Sequence, residues 1–299
     1  MTPTLLLILD GWGIAEPGPG NAPYIAATPN MDALIARCPH SQLAASGRDV
    51  GLPRGYMGNS EVGHLNIGAG RVVYQDMTRI DVALEDGSFA ANPVLNGLLE
   101  SIRKSGGKLH LAGLLSDGGV HSHIHHLEAL CGMAHKAGVP VRIHCLMDGR
   151  DRDPHSGVDF MRALQKSIEG QPKTRIASMV GRFFAMDRDK HWERLAEAWE
   201  VIVHGNPATT LAPVAAIEAS YAAGITDEFI KPLYFAAGDD AGMANGDGLF
   251  LFNFRADRMR QFTQAFIQSG FDGFDRGRVP ALAGVASMTA YESSFNIPV

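Results

Sequence analysis

Short runs of apolar residues alternate along most of the chain with segments in which apolar residues recur every three or four positions. The short runs predict strands at 108–115, 141–147, 174–180, 248–252 and 280–286. The other segments predict helices at 75–86, 92–105, 123–137, 156–169, 190–203, 211–223 and 256–269. Regular alternation of this kind favours a parallel-rich sheet with helices on both faces, so we predict an α/β fold.

The beginning of the chain follows a less regular pattern. Apolar residues at 4–9 predict a buried first strand, 42–45 predict a short strand, and 28–37 predict a helix with Pro29 in its first turn. Residues 47–70 include seven glycines among 24 residues. Because glycine favours turns, this segment is predicted to be a long loop or a set of tight turns.

Composition narrows the class of protein. A length of 299 residues suits one large domain or two ordinary ones, and 45% apolar with 19% charged residues is typical of a folded chain. A net charge of −6 without a basic stripe argues against a nucleic-acid partner. The apolar run at Leu5–Leu9 is too short for a signal peptide or a membrane span. Cys38, Cys131 and Cys145 form no CxxC motif, which favours a reduced, cytoplasmic protein.

Polar residues follow the predicted strands, at the edge where parallel α/β sheets bind ligands. They are Asp10, Ser116-Asp117, Asp148–Asp151, Gly181-Arg182 and Asn253–Arg255. The chain has 19 Arg and 7 Lys, an excess that genome composition alone could produce. Three arginines at successive strand ends favour a functional cause, because guanidinium groups match the geometry of phosphate and carboxylate.

Several candidate groups allow two interpretations. Asp10 can bind a metal or cap a turn, and Ser60 can be an activated nucleophile at a phosphate-binding helix start or an ordinary helix cap. The four histidines between positions 121 and 126 can bind a metal, or can form a polar loop and helix face in which one or two contact substrate. The Arg and Asp pairs at 148–151 and 253–258 are either surface salt bridges or parts of a binding site.

Six motifs occur in a fixed order along the chain. They are LDGWG at 9–13, GNSEVGHLNIGAGR at 58–71, SDGGVHSH at 116–123, DGRD at 148–151, GRFFAMDRD at 181–189 and FNFRADR at 252–258. Together they resemble the cofactor-independent phosphoglycerate mutases, a 2,3-bisphosphoglycerate-independent, metal-dependent family related to alkaline phosphatases. One departure is Phe183-Phe184, where the family often has tyrosine, and it would remove a hydrogen bond near the site.

The resemblance implies a glycolytic isomerase that interconverts 3-phosphoglycerate and 2-phosphoglycerate through a phosphoserine intermediate, with two divalent ions that are usually Mn²⁺. Ser60 matches the serine that takes the phosphoryl group and ligates one metal, and Asp10 matches another ligand of that metal. Asp151 matches a substrate-binding residue that can act as acid and base on the glycerate hydroxyls. The other positions that match substrate-binding residues are His121, Arg150, Arg182, Arg188, Arg255 and Arg258.

The resemblance also implies a domain organisation. Residues 1–74 match the N-terminal part of an alkaline-phosphatase-like, metal-binding domain, and 75–299 match the phosphotransferase domain inserted into it. The remaining Asp and His metal ligands of the family lie in a later part of its chain, and residues 259–299 contain no histidine. We therefore expect a truncated, monomeric form with an incomplete metal site, which binds small-molecule phosphoglycerates and is inactive alone.

Three other hypotheses stay open. The chain could be another phosphomutase or phosphomonoesterase of the alkaline phosphatase superfamily, although the NSEVGH and FNFRADR motifs argue against this. It could be a non-catalytic module that binds phosphoglycerate without metal and without turnover. It could also be one part of a split enzyme whose second polypeptide carries the missing Asp and His motifs.

Overall fold

A computed structural model describes residues 3–238 and 242–299 of the chain. The chain divides into two compact units, Met1–Thr78 and Arg79–Val299. Among the described residues, no helix is both long and apolar enough to cross a membrane.

The first unit is helical and irregular, and its described residues, 3–78, form no strand. The predicted strands at 4–9 and 42–45 are therefore wrong, although both segments contain apolar residues. Leu5 and Leu7 are 85% and 73% exposed, so the segment at 4–9 has no covering layer among these residues. An apolar run becomes a buried strand only beside a partner that pairs its backbone N–H and C=O groups and beneath a layer that covers its side chains.

The helices of the first unit are α1 (Ala22–Ile25), α2 (Pro29–Arg37), α3 (Ser60–Ala69) and the beginning of α4 (Asp76–Glu85). Helix α2 confirms the prediction at 28–37, whereas α3 shows that the predicted loop at 47–70 is wrong over its second half. Asn59 Oδ1 accepts the N–H of Val62 at the start of α3, and Gly70 ends the helix in the left-handed region at φ 64°. Capping at both ends stabilises a helix that contains two glycines.

The second unit is built on one sheet. Its strands are β1 (Leu109–Leu115), β2 (Val141–Met147), β3 (Thr174–Gly181), β4 (Ala208–Thr209), β5 (Leu233–Phe235), β6 (Gly248–Leu251) and β7 (Gly284–Ser287). They lie in the order β4-β5-β3-β2-β1-β6-β7, and all neighbours are parallel except β3 and β5. The α/β prediction is confirmed. Strands β4 and β5 were not predicted because two and three residues are too few to form a pattern.

Helices flank this sheet and connect its strands. They are α5 (Pro93–Ser105), α6 (Ile124–Lys136), α7 (Gly157–Ser167), α8 (Arg182–Ala185), α9 (Trp192–Trp199), α10 (Pro213–Ala222) and α11 (Arg260–Ile267). The predicted helix at 190–203 is divided, because α9 continues as a π-helix over Glu200–His204. The helix predicted at 256–269 is shorter at both ends.

The centre of the sheet positions the polar residues that follow its strands. All seven residues of β1 are buried, and β1 lies between β2 and β6. Each fully buried leucine there contributes roughly 1.5–3 kcal/mol through its removal from water. Because β1, β2, β3 and β6 are mutually parallel, the segments that follow them leave the sheet at the same edge.

The three cysteines differ in exposure, which gives a direct test of the fold. Cys38 is exposed, whereas Cys131 in α6 and Cys145 in β2 are buried. Burial raises the pKa of the Cys131 thiol to about 12 and raises the pKa of Cys145 still further. We expect a coloured disulfide reagent to titrate one thiol rapidly in the native protein and three in guanidinium. A Cys38→Ser variant should lose the rapid phase, and a second fast native thiol would contradict the fold.

Candidate functional site

A buried guanidinium group lies at the centre of the site in the second unit. Arg182 directly follows β3, and its side chain is only 3% exposed. Its Nη1 donates to Asp148 Oδ1 and to Asp151 Oδ2, both at 2.6 Å, and its Nη2 donates to His121 Nε2 at 3.0 Å. The two carboxylates offset the cost of burying the positive charge. The structure thus brings three of the predicted site residues together.

His121 is held in one tautomer by this contact. Because a guanidinium group can only donate, His121 Nε2 accepts, and the proton of the neutral ring lies on Nδ1. Burial, together with the positive charge of Arg182, lowers the pKa of His121 to about 4. His121 Nδ1 and Asp257 Oδ1 lie 3.9 Å apart, and neither makes a hydrogen bond to another described residue. Both atoms are buried away from solvent.

Two half-exposed arginines share the carboxylate of Asp257. Arg188 Nη1 donates to Asp257 Oδ2 at 3.1 Å, and Arg255 Nε lies 3.2 Å from Asp257 Oδ1. Burial alone would raise the pKa of Asp257, but the charge of Arg255 and the bond from Arg188 contribute to holding it below its usual value. Both guanidinium groups remain open to solvent on one side, so they can also contact an anion.

The two remaining arginines of the predicted set differ in their contacts. Arg258 Nη1 donates to the carbonyl oxygen of Met186 at 2.9 Å, which fixes the orientation of the side chain. Burial and then the charge of Arg182, followed by those of further arginines, lower the pKa of Arg258. Arg150 Nη1 lies 3.7 Å from Glu228 Oε1 near the surface. Positively charged side chains that lie close together repel one another. A phosphate or carboxylate group that binds between them relieves this repulsion.

The first unit contains a separate group of polar residues around Ser60. Ser60 Oγ donates to Asp10 Oδ2 at 2.8 Å, so the two residues that the resemblance assigns to one metal are in contact. His64, one turn further along α3, places Nδ1 2.8 Å from the carbonyl oxygen of Ser60 and 3.2 Å from its Oγ. Because a carbonyl oxygen only accepts, His64 Nδ1 carries a proton and cannot accept one from Ser60.

The oxygens of Asp10 and Ser60 fit part of the coordination shell of one divalent ion. Oxygen is the ligand atom that Mn²⁺ and Mg²⁺ prefer, and both residues line a groove of about 420 Å³. Across residues 3–238 and 242–299, no group of three or more His, Cys, Asp or Glu residues is arranged to hold a metal ion. The described residues thus supply two oxygen ligands and do not fit the two complete ion sites that the resemblance implies.

The histidine-rich segment has several separate contacts. His126 Nε2 lies 2.8 Å from Asp81 Oδ1, and His123 Nδ1 accepts the N–H of His125 at the start of α6. Of the four histidines, His121 contacts Arg182. The arrangement favours the interpretation of a polar loop and helix face over a metal site.

Three residues of these two groups were given no individual role by the sequence or by the resemblance. Asp148, Asp257 and His64 each lie inside one of the six motifs. The acid-glycine turn after β2 is a signal for Asp148, and the four-residue spacing of Ser60 and His64 places both on one helix face. No local spacing signals the contact of Asp257 with Arg188, which is 69 residues away.

Comparison with known proteins identifies the family. A family described as the BPG-independent PGAM N-terminus (iPGM_N) matches residues 80–293. Because the match covers most of its length, the chain belongs to this family of phosphoglycerate mutase N-terminal regions.

Relatives with a common name cover the whole chain. A 2,3-bisphosphoglycerate-independent phosphoglycerate mutase from Nitratidesulfovibrio vulgaris is 54% identical over 301 residues, which is 100% of this chain and 59% of the relative. A protein of the same name from Lawsonia intracellularis is 53% identical over 299 residues, again 100% of this chain and 59% of the relative. The chain therefore spans about 59% of the length of these curated relatives.

A solved structure shares the fold. It is a phosphoglycerate mutase from Leishmania mexicana, determined at low cobalt concentration. The two chains are 35% identical with a TM-score of 0.73, and the alignment covers 90% of this chain and 52% of the other.

The tautomer and pKa of His121 can be measured by NMR. We expect a neutral ring protonated on Nδ1 at pH 7 and a pKa of about 4. In the unfolded chain the pKa of His121 is roughly 6.5, which is higher than in the folded chain. The contribution of His121 to the free energy of unfolding is therefore fully present above about pH 6.5, and it is lost as the pH falls towards 4. An Arg182→Ala variant should raise the pKa of His121, because it removes a positive charge. An unperturbed His121 in the native chain would contradict the buried contact.

Proposed function

We propose that the chain forms the N-terminal part of a 2,3-bisphosphoglycerate-independent phosphoglycerate mutase, which interconverts 3-phosphoglycerate and 2-phosphoglycerate. The relatives from Nitratidesulfovibrio vulgaris and Lawsonia intracellularis carry that name. The observation that carries the proposal is the group of arginines around buried Arg182, within the residues that the family matches. A phosphoglycerate has a phosphate at one end and a carboxylate at the other, and separate guanidinium groups can hold both.

In this proposal the second unit holds and orients the glycerate. The substrate-binding residues are His121, Arg150, Asp151, Arg182, Arg188, Arg255 and Arg258. Asp151 also moves protons to and from the glycerate hydroxyls, because its Oδ2 is oriented by Arg182 while 18% of its side chain stays exposed. Several arginines are needed to retain the glycerate, since its escape after phosphoryl transfer would make the enzyme a phosphatase.

The first unit supplies the group that takes the phosphoryl. Ser60 is exposed, so its Oγ releases its proton to solvent and forms a bond to phosphorus as the bond from phosphorus to the substrate oxygen breaks. Asp151, in its protonated form, then protonates the departing oxygen. Asp10 orients Ser60 Oγ through its 2.8 Å hydrogen bond. We propose two Mn²⁺ for the complete enzyme, of which one would be held in part by Asp10 and Ser60. The ions would lower the pKa of the serine hydroxyl and offset the phosphate charge.

The domain roles and the state of the chain belong to the same proposal. Residues 1–74 would form part of the metal-binding domain, and residues 75–299 would form the phosphotransferase domain of a monomeric, cytoplasmic enzyme. We propose that turnover needs a further segment, because the chain spans about 59% of its relatives and its described residues bring together only Asp10 and Ser60 as metal ligands.

A second candidate function is the binding of phosphoglycerate without turnover. One observation favours it: the arginine site lies wholly within the second unit, whereas Asp10 and Ser60 lie in the first. This candidate predicts saturable binding in the absence of metal and no turnover with any added segment.

The activity is tested by assaying conversion of 3-phosphoglycerate to 2-phosphoglycerate with excess Mn²⁺ and without 2,3-bisphosphoglycerate. We expect no turnover from the chain alone, and turnover after extension past Val299 with the remaining segment of the Nitratidesulfovibrio vulgaris relative. In the extended protein, Ser60→Ala should lower kcat at least about 10³-fold, because it removes the nucleophile. Ser101→Ala, at an exposed serine of α5, is the matched control and should retain full activity.

Each outcome separates the hypotheses. Turnover by the chain alone that Ser60→Ala abolishes would show that no further segment is needed. An extended protein that binds phosphoglycerate without turnover would favour the second candidate. An extended protein that neither binds nor converts it would contradict both.

A further inference from the structure

One carboxylate connects the ends of three neighbouring strands. Asp148 directly follows β2, and its side chain is 1% exposed. Its Oδ2 accepts from Ser116 Oγ, after β1, at 2.7 Å, and its Oδ1 accepts from Arg182 Nη1, after β3, at 2.6 Å. Asp148 Oδ1 also accepts the backbone N–H groups of Arg150 and Asp151 at 3.3 and 3.0 Å. Three residues with proposed substrate roles therefore contact this side chain.

We propose that Asp148 is a positioning residue for phosphoglycerate binding, which orients Arg182 and the turn that carries Arg150 and Asp151 without touching the substrate. This inference rests on the proposed function, because it takes these residues to hold a phosphoglycerate. The burial of Asp148 separates it from a ligand in solvent, whereas Asp151 has an exposed surface.

Arg182 binds two carboxylates, so one of them can fix its orientation while the other exchanges protons with the substrate. If Asp151 alone paired with Arg182, every protonation of Asp151 would leave a buried positive charge without a partner. Asp148 provides a second partner that lies out of solvent and has its own hydrogen bonds. Arg182 can therefore keep its orientation while Asp151 gains or loses a proton.

The surrounding backbone leaves the turn after β2 little freedom. Gly149 has a φ of 65°, and a Cβ at this position would lie 2.7 Å from the backbone nitrogen of Glu228. Ser116 Oγ accepts the N–H of Gly118 at 3.0 Å, and its own proton points to Asp148. The four hydrogen bonds to Asp148 therefore have fixed directions, and the turn depends on this carboxylate for its shape.

Charge and orientation predict opposite effects of removing Asp148. The loss of a negative charge beside several arginines should strengthen the binding of an anion. The loss of orientation should weaken it, because the guanidinium groups no longer converge. Asp148→Asn removes the charge and keeps an acceptor oxygen in the same shape, whereas Asp148→Ala removes both.

The test is a calorimetric titration of the chain and its variants with 3-phosphoglycerate, well below the melting temperature of each. We expect Asp148→Ala to raise Kd at least about tenfold and Asp148→Asn to stay within about threefold of the unchanged chain. Ser116→Ala, which frees Asp148 Oδ2, should raise Kd about threefold or more. Asp117→Asn removes a carboxylate paired with Arg152, so it is the charge control and should leave Kd within about threefold.

Unchanged affinity in folded Asp148→Ala would overturn the proposal, even if the variant melts earlier. If Asp148→Ala does not fold, Ser116→Ala decides: weaker binding at an unchanged melting temperature supports the proposal, and unchanged binding overturns it.

The proposed function fails separately, if the unchanged chain shows no saturable binding of 3-phosphoglycerate. In that case the positioning role is tested by NMR of the Nη resonances of Arg182, which report how freely its guanidinium group rotates. Restricted rotation in the unchanged chain and faster rotation in folded Asp148→Ala, which removes one of the two carboxylates on Arg182, would support it, and identical spectra would overturn it.

Discussion

A guanidinium group that is almost fully removed from water must have carboxylate partners, because its charge is otherwise too costly to bury. Arg182 has two such partners, Asp148 and Asp151, each at 2.6 Å. These residues follow β2 and β3, and His121, which follows β1, takes another bond of the same group. The contacts form only when the three parallel strands are in register, so the same pairing stabilises the sheet edge and assembles the site.

The buried centre also sets the charge of its surroundings. Burial and Arg182 keep His121 neutral with a pKa of about 4, so this side chain adds no positive charge near pH 7. The positive charge of the site is therefore carried by the arginines. Two of them, Arg188 and Arg255, are half-exposed and share Asp257. A rigid, paired centre with open cationic groups beside it suits a small ligand that carries two anionic ends.

The sheet of the second unit could be predicted from the sequence, because the strands β1, β2, β3 and β6 are apolar runs that are buried by other residues of the same unit. The segment at 4–9 has the same pattern but lies exposed, since a pattern cannot supply a neighbouring strand. The motifs identified the arginines of the site by residue type. They did not show that Asp148 joins three strand ends, because hydrogen bonds between residues 32 and 34 positions apart leave no local pattern.

The central claim is that the arginines around Arg182 bind a phosphoglycerate, and a crystal structure of the chain grown with 3-phosphoglycerate tests it most directly. We expect phosphate and carboxylate oxygens of the ligand within about 3 Å of guanidinium nitrogens of Arg182, Arg188, Arg255 or Arg258. A ligand bound elsewhere, or an arginine cluster without ligand at saturating concentration, would contradict the account.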